Sequence, residues 1–293
     1  MEEIVRTIRC QNLNVPGTLG KVTTAIGKIG VHIGNITTLH QGSHFVIRDI
    51  EVYAEDEDKL KEIVKELSKL KETTILQVRD DVMETHKFGK IKMMNNMPIT
   101  SVDVLRRVYT PGVAQVCKLL EKEPGWKDYF TAIPYFVAIV TDGTAILGLG
   151  DIGPVAGMPV MEGKAALLQQ LVGVSGIPVL LDTKDPDQII ETVKHIAPTY
   201  SGIHLEDIAS PRCFYIEERL INELNMPVMH DDQKGTAVVV LGALINACKK
   251  ANLDLKQARI GMIGLGAAGL AIGKFIYQFT CNPLLGTART EAS

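Results

Sequence analysis

Cysteine is scarce in this chain. Its 293 residues include only five, at positions 10, 117, 213, 248 and 281, far apart and without any CxxC pairing. An odd, scattered set argues for reduced thiols in a cytoplasmic protein. Neither charge sign is in excess: 31 basic against 34 acidic side chains leave a net charge of −3. Such a balance makes no field to draw in nucleic acid or an anionic membrane surface. Long hydrophobic runs are missing too, since the longest, AVVVLGALINAC, falls short of the roughly 20 residues a bilayer span needs. The start, MEEIVRTIRC, is acidic and lacks an apolar core, so it does not read as a signal peptide. Internal repeats and low-complexity segments are absent as well.

What remains is an ordinary globular composition, 46% hydrophobic and 22% charged. At about 150 residues per domain the length suggests two domains, with room for buried cores. Residues 1–83 read as a small unit of their own. IVRTIRCQN alternates as a strand and is followed by the turn VPGTLG. KVTTAIGKIG reads as a helix, VHIGNITTL and HFVIRDIEVYA as strands, and TTILQVRD as a closing strand. In EDEDKLKEIVKELSKLK, Leu60, Ile63, Val64, Leu67 and Leu70 share one helical face, and the acids sit at its start. The order βαββαβ is the split-βαβ, ferredoxin-like plan. With PGTLGKV after the first strand and Gly34-Asn35-Ile36 after the first helix, the unit resembles an ACT domain. That resemblance implies paired units binding a small regulatory ligand at the first strand–helix turn, with Gly17, Leu19 and Asn35 as the contacts. Asn14 stands where the family usually has Asp. A purely structural or dimerising module is the alternative.

METHKFGKIKMMNNMPITS reads as a linker, after which the texture changes. YFVAIVTDG, AILGLGDIG, GIPVLLDT, SGIHLEDI, MPVMHDD and ARIGMIGLG read as strands separated by helical stretches. Alternating strands and helices predict an α/β domain with a largely parallel sheet. Residues 84–256 form this domain, and 257–293 begin a further, Rossmann-type one.

Two acidic doublets end consecutive strands: Glu206-Asp207 after GIHL, and Asp231-Asp232 after PVMH. Open α/β sheets place ligands at the carboxyl ends of their strands. Several carboxylates converging there suit a hard cation, Mg²⁺ or Mn²⁺, although acids after a strand also serve as helix caps. Lys164 follows Gly163 and is expected near a helix start, where cations are disfavoured. A bound divalent cation would lower its pKa and let it act as a base. Tyr109 precedes the Thr-Pro-Gly turn that opens a helix, and by itself reads as a core-edge aromatic. Gly264-x-Gly266-x-x-Gly269 follows the strand ARIGMI and opens the helix AAGLAIGKFIYQF, the context that dinucleotide binding requires. The next strand, NPLLGTART, has no acid where a ribose hydroxyl of NAD would be read. Arg289 there suits a 2′-phosphate, so NADP is expected in preference to NAD.

In this order, YTPGVAQVC, VTDGTAILGLGDIGPVAGMPVMEGK, HLEDI, HDDQKGTA and GLGAAG resemble malic enzyme in its small bacterial form, over about residues 100–293. The resemblance implies oxidative decarboxylation of malate to pyruvate. It makes Tyr109 the general acid, Lys164 the general base, Glu206, Asp207 and Asp232 the metal ligands, and Asp231 their outer neighbour. A cytoplasmic homodimer or tetramer is implied as well. Ala145 stands where larger members carry a substrate-binding arginine, and Lys234 where histidine is commoner, beside the metal carboxylates it is expected to perturb. The family continues well past Ser293, so the chain reads as its front part, cut inside the cofactor domain. Two alternatives stay open. An amino-acid dehydrogenase of similar layout would use a lysine but no metal, and a truncated, catalytically incompetent chain would act as a regulatory or interaction module.

Overall fold

The computed structural model describes residues 3–146, 148–281 and 285–287, the last three as backbone only. The chain divides into two compact units, Met1–Phe88 and Gly89–Ser293.

The first unit runs β1 (Ile4–Leu13), α1 (Thr18–Lys28), β2 (His32–Gln41), β3 (Phe45–Ala54), α2 (Glu57–Leu67), β4 (Thr73–Arg79) and a short α3 (Asp81–His86). Its sheet has the order β2-β3-β1-β4. All three pairings are antiparallel. The period-2 alternation of β1 and β3 sends Ile8, Cys10, Ile50 and Val52 to one face, where they meet Val22 and Ile26 of α1 and Leu60, Ile63 and Leu67 of α2. Each such isoleucine contributes about 1.5–3 kcal/mol by leaving water. Helix α2 starts where Asp56 accepts from the amides of Asp58 and Lys59, satisfying two of the donors that an open helix end leaves over.

The second unit begins with α4 (Val102–Val108), α5 (Val113–Lys122) and α6 (Lys127–Phe130), then β5 (Phe136–Thr141) and α7 (Pro154–Val172). It continues β6 (Ser175–Leu180), α8 (Pro186–Ile196), β7 (Gly202–Leu205), α9 (Arg212–Glu223), β8 (Val228–His230) and α10 (Thr236–Lys250). A final β9 (Gly261–Ile263), α11 (Ala267–Thr280) and β10 (Leu285–Thr287) close it. The main sheet is parallel throughout, in the order β6-β5-β7-β8. Pro178 lies in β6, an edge strand, where its missing N–H costs no ladder bond. Ala138, Val140, Ile203 and Leu205 face α8 and α9 on one side, and Ile139 faces Met161 and Ala165 of α7 on the other. Strands β9 and β10 pair in parallel across α11.

AILGLGDIG is not a strand. Gly148 and Gly150 both take φ near 74°, which strands do not allow, and the segment folds into a turn closed by a bridge between Ile146 and Gly150. All five cysteines are free. Burial pushes the Cys10 and Cys213 thiols up to about 11. Among the described residues no helix is long and apolar enough to cross a membrane.

Candidate active site and metal centre

Strands β7 and β8 are neighbours, and their last paired residues are Leu205 and His230. The next two residues of each, Glu206-Asp207 and Asp231-Asp232, therefore leave the sheet side by side at its carboxyl edge. Glu206, Asp207 and Asp232 bring one carboxylate oxygen each within 4.8 Å of the others. The Asp207 amide donates to Asp232 Oδ2 at 3.1 Å, tying the two strand ends together. Asp207 itself takes a left-handed φ of 54°, a conformation that aspartate tolerates better than most residues.

Negative charge is crowded in this cluster, with Lys164 at its edge beside Glu206. Burial first, then the nearby Asp232 and Glu206 charges, push the Asp207 carboxyl up to about 7, against the opposing pull of Lys164. Burial also raises Asp232, with Glu206 and Asp231 adding to it and His230 opposing. Asp207 Oδ2 is buried without a hydrogen-bond partner among the described residues. Buried acceptors are rarely left so. An orphaned oxygen among three converging carboxylates is a donor set that fits a hard divalent cation.

Lys164 sits in the middle of α7, not near its start. Gly153 precedes the helix and Pro154 opens it, as proline at the first helical position commonly does. Met161 and Ala165 anchor α7 on the sheet, and Lys164, one residue before Ala165, reaches over the sheet's carboxyl edge. Its Nζ lies 2.6 Å from Asp231 Oδ2 and 3.3 Å from Glu206 Oε2. Burial works to lower its pKa, but the hydrogen bond to Asp231 and the charges of Glu206 and Asp231 outweigh it, and the ammonium is held above its ordinary value. The expected depression of Lys164 belongs to the cation-bound site; here its ammonium is ion-paired.

A polar network holds the doublets in place. Asp142, buried after β5, accepts from the Thr144 amide and hydroxyl at 3.1 and 2.5 Å and from Arg212 Nε at 3.2 Å. Thr144 Oγ1 accepts from the Ala209 amide, and the Ala145 amide donates to the Asp207 carbonyl at 3.0 Å. Ala145 thus contributes its backbone. Glu217 of α9 accepts from the His230 amide at 2.8 Å and pairs with Lys234 at 3.0 Å. Lys234 is therefore engaged by Glu217, not by the doublets. After β8 the chain makes a π-helical turn, Asp231–Gly235, a feature concentrated at functional sites. A Cβ on Gly235 would stand 2.2 Å from Asp231 Oδ1, so only glycine lets that carboxylate fold back.

The sequence did not single out His204. Its ring accompanies Glu206 on one face of β7 and hydrogen-bonds Glu206 Oε2 through Nε2. The i, i+2 spacing that puts both on one face of a strand is the signal that could have found it. Asp142, Arg212 and Glu217 were missed as well, because their partners lie far away in sequence.

The glycine motif opens α11 at the end of β9. Gly264 takes φ 95°, Gly266 caps the helix, and a Cβ on Gly269 would collide with the Gly264 carbonyl at 2.1 Å. Helix α11, which the glycine motif opens, packs against α10 and against the Asp231–Gly235 turn. Arg289 lies outside the described residues.

Tyr109 is not brought to the cluster. It follows α4, is 68% exposed, and its hydroxyl makes no hydrogen bond among the described residues. In the first unit, Gly17 precedes α1 with φ 88°, Leu19 lies half-buried in α1, and Asn35 is exposed on β2. A groove of about 700 Å³ between α1 and α2 takes in Gly17 but neither Leu19 nor Asn35, so the three do not line one pocket. Asn14 ties the β2–β3 turn by donating to the Gly42 carbonyl at 2.9 Å.

Residues 88–221 match the family described as malic enzyme, N-terminal domain. The chain is similar to NAD-dependent malic enzyme 1 of Bacillus subtilis (strain 168), 55% identical over 293 residues, covering 100% of this chain and 67% of that protein. It is 44% identical over 286 residues to the NAD-dependent malic enzyme of Geobacillus stearothermophilus, covering 98% of this chain and 60% of that one. The crystal structure of an NAD-dependent malic enzyme from Thermotoga maritima superposes with a TM-score of 0.69 at 39% identity, over 72% of this chain and 56% of that one. The chain thus spans between 56% and 67% of these relatives' lengths. With a family-wide match across the doublet-bearing strand and more than half its residues shared along its length with one member, the chain belongs to the malic enzyme family.

Proposed function

We propose that this chain carries the substrate- and metal-binding machinery for oxidative decarboxylation of malate: malate and NAD⁺ give pyruvate, CO₂ and NADH. The observation that carries the reading is the convergence of the Glu206, Asp207 and Asp232 carboxylates, Asp207 with a buried oxygen that has no partner among the described residues, and Lys164 on their flank. These three carboxylates would hold Mg²⁺ or Mn²⁺, which supplies Lewis-acid polarisation of the substrate oxygen when bound. Lys164 is the group placed to take the C2 hydroxyl proton as hydride leaves for the nicotinamide. Asp231 and Glu206 stabilise the ammonium that results, the state whose pKa they raise here. Tyr109 is the proposed acid that protonates C3 once C4 has left as CO₂. Gly264, Gly266 and Gly269 would receive the cofactor pyrophosphate at the start of α11. NAD is proposed over NADP, since both relatives above are NAD-dependent.

An oligomer belongs to the proposal. Val160, Leu167 and Leu171 are exposed and share the helical face of α7 that carries Lys164, so an apolar stripe runs up to the lysine. A second copy covering that stripe would also close the site. The first unit is proposed to pair and to take a small regulatory ligand, on the strength of its βαββαβ order and the groove beside Gly17.

The test is reduction of NAD⁺, with NADP⁺ in parallel, by this chain with malate and Mn²⁺. Lysine-dependent turnover would support the enzyme reading and rank the cofactors. Mn²⁺ binding without turnover would favour a regulatory or interaction module, and absence of both would overturn the proposal.

A further inference from the structure

His204 and Glu206 are both 6% exposed, and they stand two residues apart on the same face of β7. Glu206 as a carboxylate can only accept, so the imidazole Nε2 carries the proton in their hydrogen bond. That bond falls on Oε2, the same oxygen that faces Lys164 Nζ at 3.3 Å. Both donors therefore engage one oxygen of the carboxylate and leave Oε1 as the other. The groups within ligand reach of Glu206 fall into two sets. His204 and Asp231 lie towards Lys164, while Asp207 and Asp232 make up the all-oxygen set. Lys164 already supplies the positive charge on the first side, so the second is the side open to a cation.

We propose that His204 is a positioning residue for the cation site. Its Nε2–H fixes Oε2 of Glu206 against rotation and reserves Oε1 for the cation shared with Asp207 and Asp232. A carboxylate buried on a strand end, with no fixed partner, would swing between Lys164 and the other acids and lose affinity for the ion. Partners that orient a metal ligand in this way are commonly worth about 10–100-fold in metal affinity. The inference rests on the cation reading of the three carboxylates.

The experiment is Mn²⁺ titration of the full chain by calorimetry, with the electron spin resonance signal of free Mn²⁺ as a second readout. His204→Leu, His204→Gln and His204→Asn are compared with the parent chain. Glutamine places an amide N–H near the position of imidazole Nε2, whereas asparagine is too short to reach Glu206. His204→Leu and His204→Asn should weaken Mn²⁺ binding by about 10–100-fold, and His204→Gln should recover most of it, all with melting temperatures near the parent's without metal. If the leucine variant does not fold, the glutamine–asparagine pair decides alone. Equal Mn²⁺ affinity in glutamine and asparagine variants, or parental affinity in the leucine variant, overturns the positioning role. A parent chain that binds no Mn²⁺, with Glu206→Gln behaving identically, overturns instead the cation site on which it rests.

Discussion

Lys164 Nζ lies 2.6 Å from Asp231 Oδ2 and joins the middle of α7 to the turn after β8. One carboxylate of the second doublet is thereby paired with a cation. The division of labour between Asp231 and Asp232 follows: the first serves the lysine, and the second stays with Glu206 and Asp207.

Replacing Lys164 tests that division. Lys164→Ala should lower NAD⁺ reduction by about 10²–10⁴-fold, the usual worth of a positioned proton-transfer group. Mn²⁺ affinity should hold or rise, because Asp231 regains its full negative charge. Lys164→Arg should keep the ion pair and the fold but stay inactive, since a guanidinium does not give up its proton near neutral pH. An arginine variant with parental turnover would remove Lys164 from proton transfer.

Asp207 makes the metal-free chain pH-sensitive in an unusual sense. Its folded pKa, about 7, lies well above the ordinary aspartate value of 3.8. A raised carboxylate pKa means that the folded state binds the proton more tightly, so this group's contribution is full below about 4 and is lost as the pH rises to 7. Melting temperatures recorded without metal should therefore fall between pH 5 and about 7.5 more steeply than those of Asp207→Asn. Mn²⁺ should flatten the parent's profile and leave the variant's unchanged. Parallel profiles for the two chains would contradict the burial and charge crowding that raise this group.

The doublets were legible because a strand that ends in two acids announces itself without knowledge of its neighbours. That Glu206-Asp207 and Asp231-Asp232 meet follows only from β7 and β8 being adjacent, which is a property of the sheet order. Gly163 read locally as a helix boundary before Lys164, yet a glycine inside a long helix costs only about 1 kcal/mol, and the true start is marked by Gly153-Pro154. AILGLGDIG is apolar enough to read as a strand, but Gly148 and Gly150 both take positive φ. Tyr109 marks the limit, because the local pattern around an exposed aromatic does not say what covers it.

Gly235→Ala separates backbone demand from side-chain space. Gly235 has φ −60° and ψ −50°, an ordinary helical conformation that alanine prefers. Its added methyl would nonetheless meet Asp231 Oδ1 at 2.2 Å. The carboxylate must move, and its pairing with Lys164 is lost. Overpacking of this kind costs about 1–3 kcal/mol. Turnover should fall with that of the lysine variants, while helical circular dichroism stays unchanged. A fully active alanine variant would show that Asp231 is free to leave Lys164.

In the first unit, Asp49 is the acid whose loss should be felt most. It lies opposite Arg9 across the β1–β3 pairing and accepts from Arg9 at 2.7 and 2.9 Å and from Arg79 at 2.6 Å. The hydrogen bond from Arg9, reinforced by Arg79, holds its carboxyl below the usual range despite partial burial. A folded pKa below the unfolded one gives stability that is present above about 4 and is lost as the pH falls through the folded value. Asp49→Asn should therefore cost about 1.5–3 kcal/mol near pH 7, the range for hydrogen bonds to charged groups. The difference from the parent should shrink below pH 4. Hydrogen exchange of the β1 and β3 amides measures this unit directly. The single tryptophan, Trp126, lies in the other unit and supplies a fluorescence control that should not move. Exchange in β1 and β3 that is the same in Asp49→Asn as in the parent at both pH values would show that the two arginines hold the sheet without their acid.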